Sequence, residues 1–196
     1  MAGRVLAFLG SLLLFTIELI AAKLLLPSFG GSAQVWTICM VFFQAALLAG
    51  YLYAWVSTAL LPGRGQAWLH LGLLAAAAAL PVHLETAASG GPVLRLLASL
   101  SFSIGIPFMA LSSTVPVVQS WLTREGPGEG EDPYTIYAAS NAGALIGLLA
   151  YPFLIEPFLP VTVQLRAWQA CFVAYVLLHL ACLPWRKGAG TPESLT

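Results

Sequence analysis

Long apolar runs alternate with short polar connectors along the whole chain. The runs are Val5–Leu26, Val35–Leu61, Ala67–Leu84, Val93–Leu122, Pro133–Phe158 and Val161–Leu183. A helix needs about 20 mainly apolar residues to cross a hydrocarbon layer roughly 30 Å thick. The pattern therefore predicts an all-α, polytopic transmembrane bundle of six spans in residues 1–187, followed by a short polar tail, 188–196. The connectors are rich in Gly, Pro and Ser, and short connectors set neighbouring helices antiparallel. Spans five and six divide at Glu156-Pro157 and Leu159-Pro160, because proline disfavours helix in the residue before it.

Composition agrees. Hydrophobic residues make up 59% and charged residues 8% of the chain, where a soluble domain carries about 25% charged residues. Net charge is zero, which suggests no nucleic-acid partner. Cys39, Cys171 and Cys182 lie in apolar runs without metal-ligand spacing and read as small buried hydrophobes. Met1–Leu26 resembles a signal peptide only superficially. Its run is too long for one, Glu18 interrupts it, and no small-residue cleavage site follows.

Orientation follows from the cations. With six spans, Arg4, Arg64, Arg124, Arg186 and Lys187 share one side, and Lys23, Arg95 and Arg166 the other. The excess predicts both termini on the cytoplasmic side. Ala139, Gly143 and Gly147 recur every four residues, a stripe that lets a second backbone approach, and Ala75–Ala79 suggests the same for the third span. Pro107 and Pro116 predict a kinked or tilted fourth span.

Candidate chemistry is confined to polar residues at membrane depth, where an ionisable group costs about 2.5–3.5 kcal/mol. Glu18 lies roughly 20 Å along the first span, and Gln44 comes to a similar depth on the second. The pair reads either as a polar clamp inside the bundle or as a proton or substrate site. Lys23 and Glu156 fall at one level near the outer ends of their spans and are expected to pair, with Glu156–Arg166 as the alternative. Ser112, Ser113, Thr114 and Gln119 end the fourth span, and Tyr134, Tyr137, Ser140 and Asn141 begin the fifth. They read as an inner vestibule or as ordinary hydrogen bonding between helices. His70, His83 and His179 are scattered and receive no role. Gly126–Gly130 lacks a preceding strand and a lysine, so it is a turn and not a phosphate loop. No catalytic constellation, cofactor motif or metal motif is visible, so no enzyme is expected.

Several segments in order resemble one family. They are Phe15-Thr-Ile-Glu-Leu-Ile-Ala-Ala-Lys23, Pro27-Ser-Phe-Gly-Gly31, Val35-Trp36, Phe42-Phe-Gln44 and Gly50-Tyr51. They continue with Gly105-Ile-Pro-Phe108, Ser112-Ser-Thr-Val-Pro116, Gln119-Ser-Trp121, Asp132-Pro-Tyr134, Tyr137-Ala-Ala-Ser-Asn141 and Tyr151-Pro-Phe-Leu-Ile-Glu-Pro157. The set resembles the membrane portion of bacterial fused major facilitator/spermidine synthase-like proteins, over about residues 10–185. The resemblance implies a bacterial inner-membrane bundle akin to half of a major-facilitator fold. It marks Glu18, Lys23, Gln44, Gln119, Asn141 and Glu156 as the polar positions of a substrate or ion pathway. Longer members carry an aminopropyltransferase-like domain whose nucleotide loop and acidic residues are not among these residues, so aminopropyl transfer carries over to none of them. Two functions follow as expectations. One is a transporter-like module for a small polar or cationic solute, completed by a homodimer or a second six-span half. The other is a non-transporting membrane subunit that anchors a separate enzyme, such as a soluble aminopropyltransferase-like partner, or joins another membrane complex, docking through Glu129 and Glu131.

Overall fold

A computed structural model describes residues 1–80, 91–123 and 132–183. Over these the chain is helical and contains no strand. The helices are α1 (Ala2–Phe29), α2 (Ala33–Leu60), α3 (Gly63–Ala79), α4 (Pro92–Leu100), α5 (Ile106–Thr123), α6 (Pro133–Ala150) and α7 (Val161–Cys182). A π-helical turn, Ser101–Gly105, joins α4 to α5 as one span, and a second, Tyr151–Ile155, extends α6.

Five of the six expected spans are long and apolar enough to cross a membrane. The third is a 17-residue helix, roughly 25 Å long; the rest of that run, from residue 81, lies outside the described residues. Large apolar side chains are bare on the outside, among them Leu48, Trp55, Phe102, Leu145, Phe153 and Leu177. A water-soluble monomer rarely leaves so much contiguous apolar surface uncovered, so a bilayer is the solvent that fits this exterior.

The helix boundaries have local causes. Gly30 closes α1 at φ 75°, a left-handed conformation that costs glycine nothing, and its N–H reaches the Leu26 carbonyl. Ser32 caps α2 by accepting from the Val35 N–H at 3.3 Å, and Asp132 caps α6 by accepting from Tyr134 N–H at 3.0 Å. The expected irregularity of the fourth span takes the form of the π turn ahead of Pro107, and the turn at Tyr151–Ile155 contains Pro152. Proline lacks the N–H that an α-helix would bond one turn back, and a widened turn absorbs that loss.

The centre of the bundle is the pair α1 and α5. Helix α1 packs on α5, α6 and α7, while α5 packs on α1, α2 and α3. Helices α3 and α7 also touch each other, closing one side of the central pair. On the other side α2 leans on α5 and α6 on α1, and α2 and α6 make at most marginal contact among the described residues. Over the described residues the bundle thus has a closed back and an open front.

The small-residue stripe explains how α6 seats. A Cβ at residue 143 would strike the Phe8 carbonyl, and one at residue 147 would stand 3.0 Å from the Leu12 carbonyl. Gly50 gives α5 the same access, with Ser112 and the Met109 carbonyl against it. The alanine run of α3 departs from expectation. Ala77 is buried, whereas Ala75, Ala76 and Ala79 are exposed, because only one face of α3 meets α5 and α7.

Candidate functional site

The back of the bundle carries most of its polar bonding. Gln66 on α3 is fully buried and its amide is fully used. Its Nε2 donates to Thr58 Oγ1 at 2.6 Å and to Ser57 Oγ at 3.3 Å. Its Oε1 accepts from Trp121 Nε1 at 3.1 Å and from Ser120 Oγ at 3.3 Å. One side chain therefore ties α3 to α2 and α5.

One turn further along α3, His70 lies in the core with His179 of α7, their ring centroids 5.2 Å apart. His70 Nε2 lies 3.2 Å from Thr114 Oγ1, whose hydroxyl is also 3.2 Å from the Ala110 carbonyl. Among the described residues, His70 Nδ1, both His179 nitrogens and the Tyr53 hydroxyl are buried without a hydrogen-bond partner. Tyr53, Trp121 and Tyr175 supply the surrounding rings.

The scatter of His70 and His179 along the sequence gives them no role, yet two spacings point to this cluster. Gln66 and His70 are four apart on α3, and Tyr175 and His179 are four apart on α7, so each pair shares a helix face. His83 lies outside the described residues. Among the described residues no group of three or more His, Cys, Asp or Glu could hold a metal ion.

The six positions expected to form a pathway do not converge on one point. Glu18 is half-buried on α1, and among the described residues it has no hydrogen bond or ion pair. Ser11, seven residues earlier and so on the same stripe, bonds Ser140 of α6 at 2.7 Å. Gln44 is exposed. Tyr53, nine residues later, stacks on His70 at the back; nine residues at about 100° each place Gln44 about 180° away, toward the front. A clamp between Glu18 and Gln44 in the interior is therefore not formed, since α2 turns Gln44 outward.

Depth can be read from neighbouring contacts. Gly10 of α1 lies level with Thr114, and Gly50 of α2 level with Ser112. Counting about 1.5 Å per residue from these points brings Glu18 and Gln44 to one depth. Gln119, half-buried, lies roughly 20 Å from that depth, toward the opposite end of α1. Asn141 is exposed on α6, one residue beyond the Ser11–Ser140 bond.

Lys23 and Glu156 do meet, with Nζ 3.1 Å from Oε1. The expected vestibule does not assemble. Ser112, Ser113 and Thr114 are buried and donate to the carbonyls of Met109, Ala110 and Ala110, while Tyr134 and Tyr137 stand exposed. Cys39 is buried as expected, but Cys171 is exposed. The acidic loop with Glu129 and Glu131 lies outside the described residues, as does Arg124.

No family model, curated protein or solved structure matches this chain.

Proposed function

We propose that the chain is a transporter-like membrane module whose open front pairs with a second six-span unit, a copy of itself or another half. The observation that carries this reading is Glu18. It is an ionisable side chain on the central helix, half-buried, level with Gln44, and without an internal partner among the described residues. An acid at membrane depth is costly and is retained where it faces a polar route or partner. Transporter sites form near the midplane where two repeats meet. A second unit on the front would enclose Glu18 and Gln44 between two central pairs. A small polar or cationic solute suits a carboxylate and an amide at that position.

The kinship with the major-facilitator half-fold is part of this proposal and rests on the sequence segments named above. The alternative, a non-transporting anchor, calls for Glu18 held internally by Gln44. The outward turn of Gln44 favours the transport reading.

The test is solute uptake into proteoliposomes, with Glu18→Gln as the isosteric variant. The expected result is loss of at least tenfold in flux with unchanged folding and assembly. Retained flux in Glu18→Gln overturns this role for the carboxylate.

A further inference from the structure

A crevice of about 440 Å³ opens on the outer surface between α1, α7 and the end of the fifth span. It lies on the flank of the bundle, away from the Glu18 position, which plays no part in its lining. Leu12, Thr16 and Ile20 of α1 form one wall, Cys171 and Leu178 of α7 the other, and Ile155 closes one end. The hydrogen-bonding groups of Thr16, Gln164, Trp168 and Tyr175 in its lining are already committed, the last two to the carbonyls of Leu13 and Leu6. Thr16 Oγ1 donates to the Leu12 carbonyl at 2.7 Å, and Gln164 accepts from Tyr151 and donates to Leu159. The crevice therefore offers apolar surface without free hydrogen-bonding demand. It is elongated along α1, since its lining on that helix runs from Leu9 to Ile20.

The end of this crevice near Ile155 is charged. Lys23 continues the stripe of Thr16 and Ile20 by three residues, and Glu156 follows Ile155 directly. Their ion pair uses one contact, Nζ to Oε1 at 3.1 Å, and both side chains remain partly exposed, 31% and 44%. An ammonium has three donors and a carboxylate two acceptor oxygens, so both retain bonding capacity. This end of α1 is also where a lysine stem reaches headgroup level.

An apolar slot that opens sideways to lipid, topped by one cation and one anion, matches one chemistry. We infer that the crevice binds a single phospholipid with a phosphoethanolamine headgroup, its phosphate on Lys23, its ammonium on Glu156 and one acyl chain between α1 and α7. The carboxylate selects the headgroup. A primary ammonium donates charge-assisted hydrogen bonds to it, a quaternary ammonium cannot, and a glycerol headgroup offers only neutral hydroxyl donors that leave the negative charge uncompensated.

The experiment is native mass spectrometry of the full chain extracted from vesicles holding equal parts phosphatidylethanolamine, phosphatidylcholine and phosphatidylglycerol. The expected spectrum shows one retained phosphatidylethanolamine, at least fivefold above either other lipid. The double variant Lys23→Gln, Glu156→Gln abolishes that preference. Ala174→Trp, which fills the slot, removes the adduct.

A second measurement does not depend on folding of the filled variant. Cys171 lines the slot and is exposed, so in a Cys39→Ala, Cys182→Ala background its alkylation by a lipid-soluble maleimide is expected to slow at least threefold in phosphatidylethanolamine relative to phosphatidylcholine. Equal retention of the three lipids, or preferential retention of phosphatidylglycerol or phosphatidylcholine, overturns the headgroup assignment. Equal alkylation rates in the two lipids overturn the slot.

Discussion

The carbonyl oxygen of Phe8 occupies the space that a side chain on Gly143 would need. Helices α1 and α6 meet there backbone to backbone, with Gly147 against Leu12 one turn on and the Ser11–Ser140 bond beside them. A carbonyl cannot rotate away as a side-chain tip can. Gly143→Ala should therefore force the helices apart and cost about 3 kcal/mol, the upper part of the range for overpacking. Gly72 provides the control, because a Cβ there meets nothing. Gly72→Ala should stabilise by about 0.5–1 kcal/mol through lost backbone freedom alone. Thermal unfolding of both variants in one detergent, followed by circular dichroism, separates the two outcomes. A tolerated Gly143→Ala would mean that α6 seats differently.

Gln66 invites a second test. Replacing it with Leu keeps much of its volume and removes both ends of its network, the donation to Thr58 and the acceptance from Trp121 Nε1. Breaking such a buried hydrogen-bond network costs about 1–3 kcal/mol. Gln66→Leu should fall in that range, and Gln66→Glu should recover the indole bond while losing the donation to Thr58. The readout is again the unfolding midpoint, with Trp121 emission reporting the indole environment.

His179 behaves oppositely. It touches the rings of His70, Trp121 and Tyr175, and among the described residues neither of its nitrogens has a hydrogen-bond partner. Phenylalanine preserves the ring contacts and removes two unsatisfied buried groups. His179→Phe is expected to leave stability unchanged or to raise it by about 1–2 kcal/mol. A clear loss of stability would show that the imidazole is bonded in the folded protein.

Much of this architecture was legible in the residues. The apolar runs set helix number and order, because a bilayer demands length before anything else. The spacing of Gly143 and Gly147 announced a close helix approach, and the levels of Lys23 and Glu156 announced their ion pair. What stayed hidden was direction around each helix. In a chain that faces lipid outside and other helices inside, both faces are apolar, so periodicity does not say which side is buried. Gln44 illustrates this: its depth was readable, its outward turn was not. His70, His179 and Gln66 were hidden for a related reason. His70 and His179 each stand in an apolar run and Gln66 just before one, and only the four-residue spacing to a second polar group marks the shared face.

The π turn at Ser101–Gly105 has a consequence for how the fourth span tolerates change in length. A π turn is an α-helix that has taken in one extra residue. The widened turn takes up that residue with little net rotation, so α5 presents Ser112 to Gly50 and Thr114 to His70 in the direction an α-helix one residue shorter would give. A one-residue deletion inside 101–105 would therefore yield a regular helix with its downstream contacts kept. The same deletion in the α-helical stretch 106–111 would turn those contacts by about 100°.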